Sequence, residues 1–307
     1  MGWLTRRLPA SVKRRVPVVR ERDALRARVR ELEGELSQKP VTGLHGTYVG
    51  NDRVLVSTAW GGRLLLPSDD LSLMPELVAT GTYDSPFTAF VQRHVKPGDT
   101  VIDVGAHAGL FTLLLAYQVW ESGRVIAYEP NPRMLELLRD NVTMNWLSDR
   151  VEIVPKAAAA ASGSLPFLAP SRYTMTGSLR PVEQLLETAD RVEALERLEV
   201  EAEPLDVHVG RFERIDLVKI DVEGAEEQVF AGMNQLLASG AVKRVSFEVA
   251  RELMGDDWKP FADRLRRLAS EGWEFCTITE AGEPEPISLD AIVDRGRFSQ
   301  VLMQRAA

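Results

Sequence analysis

The sequence predicts an α/β fold, an open, doubly wound and mostly parallel sheet with helices on both faces. Three stretches carry that prediction. Residues 101–109 (VIDVGAHAG) run from an apolar strand through an acid into a glycine turn that opens a helix. Residues 124–132 (RVIAYEPNP) form a second strand ending in an acid, and residues 215–226 (IDLVKIDVEGAE) a third ending in an acidic cluster. Ligands in open parallel sheets sit outside the carboxyl ends of the strands, so Asp103, Glu129 and Asp221 are expected to face one crevice.

The remaining elements follow in order. Residues 48–66 alternate and carry turn signals at 50–52 and 61–62, which predicts a small β-hairpin. Residues 73–95 read as helix with breaks at Gly81 and Pro86. After the second strand, residues 134–146 keep apolar residues at helical spacing, and 151–154 form strand three. Residues 165–180, rich in Ser, Thr and Gly, predict a loop, and 181–198 have charged helical character. Strand five is expected over 241–249, a helix over 258–271, and two last strands over 275–279 and 298–303. The organisation predicted is a basic arm (1–39), a leading hairpin with a helical cap (40–95) and a cofactor-binding domain (96–307).

A glycine turn lets a ligand approach bare backbone, which assigns Gly105, Ala106, His107 and Gly109 to cofactor contact. These glycines stand four apart rather than in a dinucleotide pattern, and Asp103 would repel a nearby phosphate. A cofactor with positive sulfonium and ammonium groups suits that edge, pointing to S-adenosylmethionine over a nicotinamide dinucleotide. Glu129 is placed to accept hydrogen bonds from two ribose hydroxyls, with Pro130 and Asn131 beside it. It equally suits a helix start in which Asn131 caps and Pro132 enters the first turn, and both can hold. Ala157 leaves room for a flat adenine ring, or is ordinary filler.

Period-two alternation puts Leu217, Lys219 and Asp221 on one side of strand four, opposite Val218, Ile220 and Val222. Lys219 is an unusual residue for a central strand, so it either serves the site or pairs with Asp216 or Glu226. Glu223 and Glu226 favour a helix start electrostatically or take part in chemistry.

Together, residues 101–112, 127–132 and 216–226 resemble the FkbM family of S-adenosylmethionine-dependent methyltransferases. The resemblance extends to 53–70 and to Leu205 and Asp206, and covers about residues 43–305. The Asp-Val-Glu-Gly-Ala-Glu run is its most specific part, and His107 departs from it where many related turns carry Asn or Gly. The resemblance implies a class I methyltransferase sheet of seven strands with the last antiparallel. It also implies methylation of hydroxyl groups on sugars and natural products, and a leading segment that covers the cofactor end. Tyr83 and Asp84 then line the methionine side, or Tyr83 only packs.

An alcohol is a weak acid, so its hydroxyl needs a base during attack or a metal that lowers its pKa. Asp221 is the candidate for orienting the hydroxyl, Glu223 and Glu248 are candidate bases, and Lys219 is their electrostatic partner. The three carboxylates could hold Mg²⁺, but no further ligand clearly completes its shell, so a metal is not favoured. Acceptor selectivity is expected from Arg172, Tyr173, Met175, Thr176 and Ser178, unless that loop is only a surface linker. The acceptor expected is a saccharide, glycoconjugate or secondary metabolite. Two other classes stay open, a nicotinamide-dependent oxidoreductase and a cofactor-binding scaffold without catalysis.

The chain of 307 residues carries a net charge of -8, but residues 1–39 alone carry +6, leaving -14 for the rest. Val18, Leu25 and Leu32 repeat every seven, as do Val29 and Leu36, predicting a short heptad helix over 22–36. That arm is expected to assist a homo-oligomer. Alternatively it packs on its own domain, or lays Arg6, Arg7, Lys13, Arg14 and Arg15 on an anionic membrane surface. The acidic remainder and the lack of a recognisable module argue against nucleic acid. A single cysteine, Cys276, excludes an internal disulfide, and no apolar window reads as a membrane span or secretory signal, so a cytoplasmic enzyme is expected. None of the four histidines has metal spacing. His45 and His94 are expected at the surface, His208 in a linker, and His107 bonding backbone or solvent at the cofactor turn.

Overall fold

The computed structural model describes residues 45–179 and 195–305. The basic arm with its heptad helix, and residues 181–194 of the charged stretch, lie outside the described residues.

The chain enters through β1 (Gly46–Gly50), β2 (Arg53–Ser57) and β3 (Arg63–Pro67), a three-stranded antiparallel meander where the sequence predicted a two-stranded hairpin. Asn51 and Asp52 turn its first corner with φ of 51° and 53°, the left-handed pair that tight hairpins demand. Helix α1 (Met74–Thr80) stops at Gly81, whose φ of 72° ends it as expected. Pro86 does not break the next helix. It sits in the first turn of α2 (Ser85–His94), where a missing N–H costs nothing, and Asp84 caps that turn by accepting from the Phe87 amide.

The core of the fold then alternates strand and helix. β4 (Thr100–Val104), α3 (Leu110–Val119), β5 (Arg124–Tyr128), α4 (Pro132–Met144) and β6 (Val151–Val154) build one half. After an inserted β7 (Ala157–Ala158), β8 (Gly163–Pro170) and β9 (Leu195–Glu203) come β10 (Leu217–Ile220), α5 (Glu226–Ala231), α6 (Asn234–Ala238) and β11 (Arg244–Ala250). The chain closes with α7 (Arg251–Met254), α8 (Trp258–Ser270), β12 (Trp273–Ile278), β13 (Pro284–Pro286), α9 (Leu289–Arg295) and β14 (Arg297–Arg305).

The large sheet runs β13-β12-β14-β11-β10-β4-β5-β6. Its strands from β6 to β11 are mutually parallel, and β14 lies antiparallel between β11 and β12. The seven expected strands are present, and the short β13 adds an eighth at the edge beyond β12. Strand order reverses at β4, between β5 and β10, so the crevice opens at the carboxyl ends of β4 and β10.

Alternation divides the core as predicted. Val101, Val125 and Leu217 point into the layer of α2, α3 and the meander, while Ile102, Ile126, Val218 and Ile220 point toward Val229, Phe230, Phe261 and Leu265 of α5 and α8. Helix α3 is buried from Leu110 through Ala116 and has almost no polar face. A helix apolar on all sides must be covered on all sides, and Val56, Leu64 and Leu66 of the meander share its core. The meander is therefore part of the fold's hydrophobic economy.

The insertion corrects the loop predicted over 165–180. β8 pairs antiparallel with β9 along its whole length, Ala157 and Ala158 of β7 join the other edge of β9, and Phe167, Val200 and Ala202 form a small core of their own. Among the described residues no helix is long and apolar enough to cross a membrane.

Candidate active site

The deepest charges of the site come from strand register. Lys219 on β10 lies directly beside Asp103 on β4, and both side chains are almost wholly buried, at 2% and 0% exposure. Lys219 Nζ stands 3.4 Å from Asp103 Oδ1 and 3.4 Å from Asp221 Oδ2, with the Phe111 ring 5.4 Å away. Burial alone would lower the lysine's pKa. The two carboxylates outweigh it and hold the ammonium above its ordinary value. The partners proposed from sequence were Asp216 or Glu226, but Asp216 pairs with Arg214 and Lys243 instead. Asp103 does not reach the crevice, because Thr112 Oγ1 donates to its Oδ2 at 2.6 Å and Lys219 closes off the other oxygen.

The glycine turn has a different reason from the one expected. A Cβ on Gly105 would lie 1.9 Å from the Asp221 carbonyl oxygen, and one on Gly109 would lie 2.7 Å from Leu138 Cδ1. Both glycines also have positive φ, 80° and 100°. Close packing of β4 against the β10 tip and of the turn against α4 thus requires them before any ligand does. Ala106 is likewise packed inward, its N–H donating to the Tyr128 carbonyl.

Gly105, His107, Glu129, Pro130, Asn131, Ala157 and Asp221 line one crevice that is partly open to solvent. Asp103, Ala106 and Gly109 stand behind its wall. Glu129 is 5% exposed and accepts from the amides of His107 at 2.7 Å and Asn131 at 2.8 Å. Burial pushes its carboxyl up to about 7 against those two hydrogen bonds. Asn131 also caps α4 by accepting from the Arg133 amide, so the cap and the crevice wall share one turn.

His107 has φ of 52° and places Nε2 2.9 Å from Thr174 Oγ1, which donates onward to Asp70 Oδ1 at 2.7 Å. Asp70 also accepts from Ser72 Oγ and from the Leu73 and Met74 amides, and these bonds hold it below its ordinary value despite burial. An ionised Asp70 takes the Thr174 proton, so His107 Nε2 is the donor in this chain and Nδ1 is an acceptor. That Nδ1 is buried without a protein partner, and burial pulls the imidazole down to about 4, so it is neutral at pH 7. The sequence placed His107 on this turn but gave no sign of Thr174 or Asp70.

A second lobe adjoins the first through Asp221 and Met175, and adds Tyr83, Asp84, Glu223, Glu248, Ser299 and Gln300. One oxygen from each of Asp221, Glu223 and Glu248 lies within 4.8 Å of the others. Burial first, then the neighbouring acids, push Glu223 up to about 8 and Glu248 up to about 9. The loop that presents Glu223 is fixed from beneath. Ser178 Oγ donates to the Glu223 carbonyl at 2.8 Å, and the fully buried Glu226 accepts from the Val222 and Gly224 amides. Such a carboxylate triad suits proton transfer, and its spacing also suits a hard cation with oxygen ligands.

Of the residues expected to select the acceptor, Tyr83 and Met175 line the second lobe. Arg172, Tyr173 and Thr176 line neither lobe, because the 3₁₀ turn at Thr174–Thr176 points Thr174 and Met175 inward instead. Two histidines expected at the surface need correction, since His45 is half-buried and His94 is half-buried beside the Gly282 carbonyl. His208 lies in the expected short linker, buried with Nε2 2.8 Å from the Tyr128 hydroxyl.

Residues 103–275 match the family described as the methyltransferase FkbM domain, more than half of the chain. The chain belongs to the FkbM methyltransferase family. Methyltransferase sdnD of Sordaria araneosa is 26% identical over 214 residues, which cover 62% of this chain and 79% of that protein. The 31-O-demethyl-FK506 methyltransferase FkbM of Streptomyces tacrolimicus is 31% identical over 160 residues, 45% of this chain and 61% of the relative. A solved methyltransferase FkbM from Methylobacillus flagellatus aligns at 14% identity with a TM-score of 0.43, over 67% of this chain and 43% of that one. In this FkbM-family chain the matched segment holds Asp103, Glu129, Asp221 and Glu248, while Tyr83 and Ser299 of the second lobe lie outside it.

Proposed function

We propose that this chain is an S-adenosylmethionine-dependent O-methyltransferase whose acceptor is a hydroxyl of a saccharide, glycoconjugate or secondary metabolite. The observation that carries this reading is the position of Asp221. It belongs to both lobes, with Glu129 across the inner one and the carboxylates of Glu223 and Glu248 beside it in the outer one. A pyrophosphate would meet that run of acids unfavourably, which disfavours the nicotinamide alternative.

In the inner lobe Glu129 presents free carboxylate lone pairs to ribose hydroxyls, Ala157 leaves space for the adenine, and His107 forms part of the wall. When bound, the cofactor supplies a methyl group already activated on a sulfonium. The protein's remaining tasks are to align an oxygen behind that carbon and to take its proton. Asp221, held in place by Lys219, orients the hydroxyl. Glu223 or Glu248 receives the proton, and the raised affinity of both for protons makes each a stronger base once ionised.

Labelled methyl transfer to a panel of hydroxyl acceptors tests this reading. Asp221→Asn should lower turnover on the order of 100-fold or more while S-adenosylhomocysteine still binds. Wild-type turnover in that variant would remove Asp221 from the mechanism. The spacing of the three acids supports a second reading, in which they hold a divalent cation that lowers the hydroxyl's pKa. The proton-transfer reading expects full activity in EDTA, and activity lost to EDTA and restored by Mg²⁺ would favour the metal.

A further inference from the structure

Beyond Glu223 and Glu248 the crevice continues into an open groove beneath α7, the start of α8 and the end of α9. Four cations line it: Arg251, Lys259, Arg295 and Arg297. Among the described residues none of the four has a carboxylate within ion-pair distance, although Glu252 and Asp256 line the same groove. Some arginines elsewhere are answered by acids, as Arg264 is by both oxygens of Glu227 and Arg214 by Asp99 and Asp216, while Arg244 and Arg305 are answered by backbone carbonyls. The groove thus gathers four cations, none of them ion-paired among the described residues, beside the carboxylates of Glu223, Glu248, Glu252 and Asp256, with Arg297 near enough to Glu248 to lower its proton affinity.

Two of these guanidinium groups are held by aromatic rings. The Arg251 guanidinium carbon stands 5.8 Å from the centre of the Trp258 ring, and that of Arg295 stands 4.7 Å from the centre of Phe298. The backbone N–H of Arg251 donates to the Gly296 carbonyl at 2.8 Å, which fixes where its side chain leaves the chain. A ring holds a guanidinium by its face and leaves the in-plane N–H fork unused. Those forks match the paired oxygens of a phosphate. A lone carboxylate would answer one of the four charges, whereas a phosphate or diphosphate answers more.

We infer that the methyl acceptor is a phosphorylated hydroxyl compound, such as a sugar phosphate or nucleotide-linked sugar. Its phosphate lies among Arg251, Lys259, Arg295 and Arg297 while its hydroxyl reaches Asp221, Glu223 and Glu248. The inference rests on the O-methyltransferase reading for the role of the hydroxyl end, and the groove is tested separately from it.

Calorimetry on the full chain, with and without S-adenosylhomocysteine, would titrate inorganic pyrophosphate and, as the carboxylate arm, citrate. The double variant Arg251→Gln with Arg295→Gln alters two exposed side chains, and its unchanged melting temperature would show that it folds. Pyrophosphate should bind the wild-type protein about 10-fold or more tightly than the double variant, and more tightly than citrate does. Equal pyrophosphate binding by the two proteins, or none by the wild type, would overturn the inference. Tighter citrate would replace phosphate with a carboxylate. Failure of S-adenosylhomocysteine to bind would count against the methyltransferase reading and leave the pyrophosphate result standing.

Discussion

The inner and outer lobes of the crevice differ in where their charges are satisfied. In the inner lobe the protein answers them itself, since Glu129 accepts two backbone amides, Lys219 bridges Asp103 and Asp221, and Asp70 accepts five hydrogen bonds behind His107. In the outer lobe the Glu223 and Glu248 carboxylates have no hydrogen-bond or ion-pair partner among the described residues, and burial, then the neighbouring acids, raises their proton affinities against the opposing pull of Lys219 on Glu223 and Arg297 on Glu248. A lobe satisfied internally keeps its shape before ligand arrives. A lobe left unsatisfied holds groups whose protonation can change during a reaction. The difference separates a preformed binding wall from a reactive one.

The largest expected effect breaks the inner lobe. Lys219→Met leaves Asp103 buried beside no cation and should cost about 3–5 kcal/mol of stability in denaturant unfolding, because an unpaired buried charge carries its full desolvation penalty. A loss under about 1 kcal/mol would mean that the triad does not hold the two strand tips together.

A smaller effect reads the outer lobe. A general base must be ionised to act, and burial holds Glu223 protonated until about pH 8 and Glu248 until about pH 9. Turnover should therefore rise about 10-fold between pH 7 and pH 9. Glu223→Gln should remove the lower part of that rise. A flat profile over this range would deny the outer acids their role as bases.

The smallest effect sharpens the comparison from the inner side. Glu129→Gln keeps the acceptor oxygen for one amide but presents an NH₂ where a carboxylate oxygen stood. It should weaken S-adenosylhomocysteine binding about 5-fold while leaving the pH profile of turnover in place. A shifted profile with unchanged affinity would assign Glu129 to the chemistry instead.

The same two lobes differ in how far the sequence reveals them. Strands over 101–104, 125–128, 151–154 and 217–220 were legible because buried parallel strands are short apolar runs whose ends carry the acids. The meeting of Asp221 with Glu223 and Glu248 follows from placing β11 beside β10. The pairing of Lys219 with Asp221 was legible, but Asp103 was missed because it is the lysine's neighbour only through register, 116 positions away in the chain. Thr174 and Asp70 were missed for the same reason, since their contact spans 104 positions. The inserted sheet did leave a signal. Leu198, Val200 and Ala202 alternate with Glu199, Glu201 and Glu203 along β9, and reading 181–198 as helical cut that pattern in two. The inward turn of Thr174 and Met175, rather than Arg172, Tyr173 and Thr176, has no periodicity that could announce it.

The most direct test of the account is a calorimetric titration of the wild-type protein with S-adenosylhomocysteine, run beside one with NAD. Saturable 1:1 heat with the first and none with the second is the expected result, since the wall between Glu129 and Asp221 suits a cationic methyl donor and its product. Tight NAD binding with no heat from S-adenosylhomocysteine would contradict it.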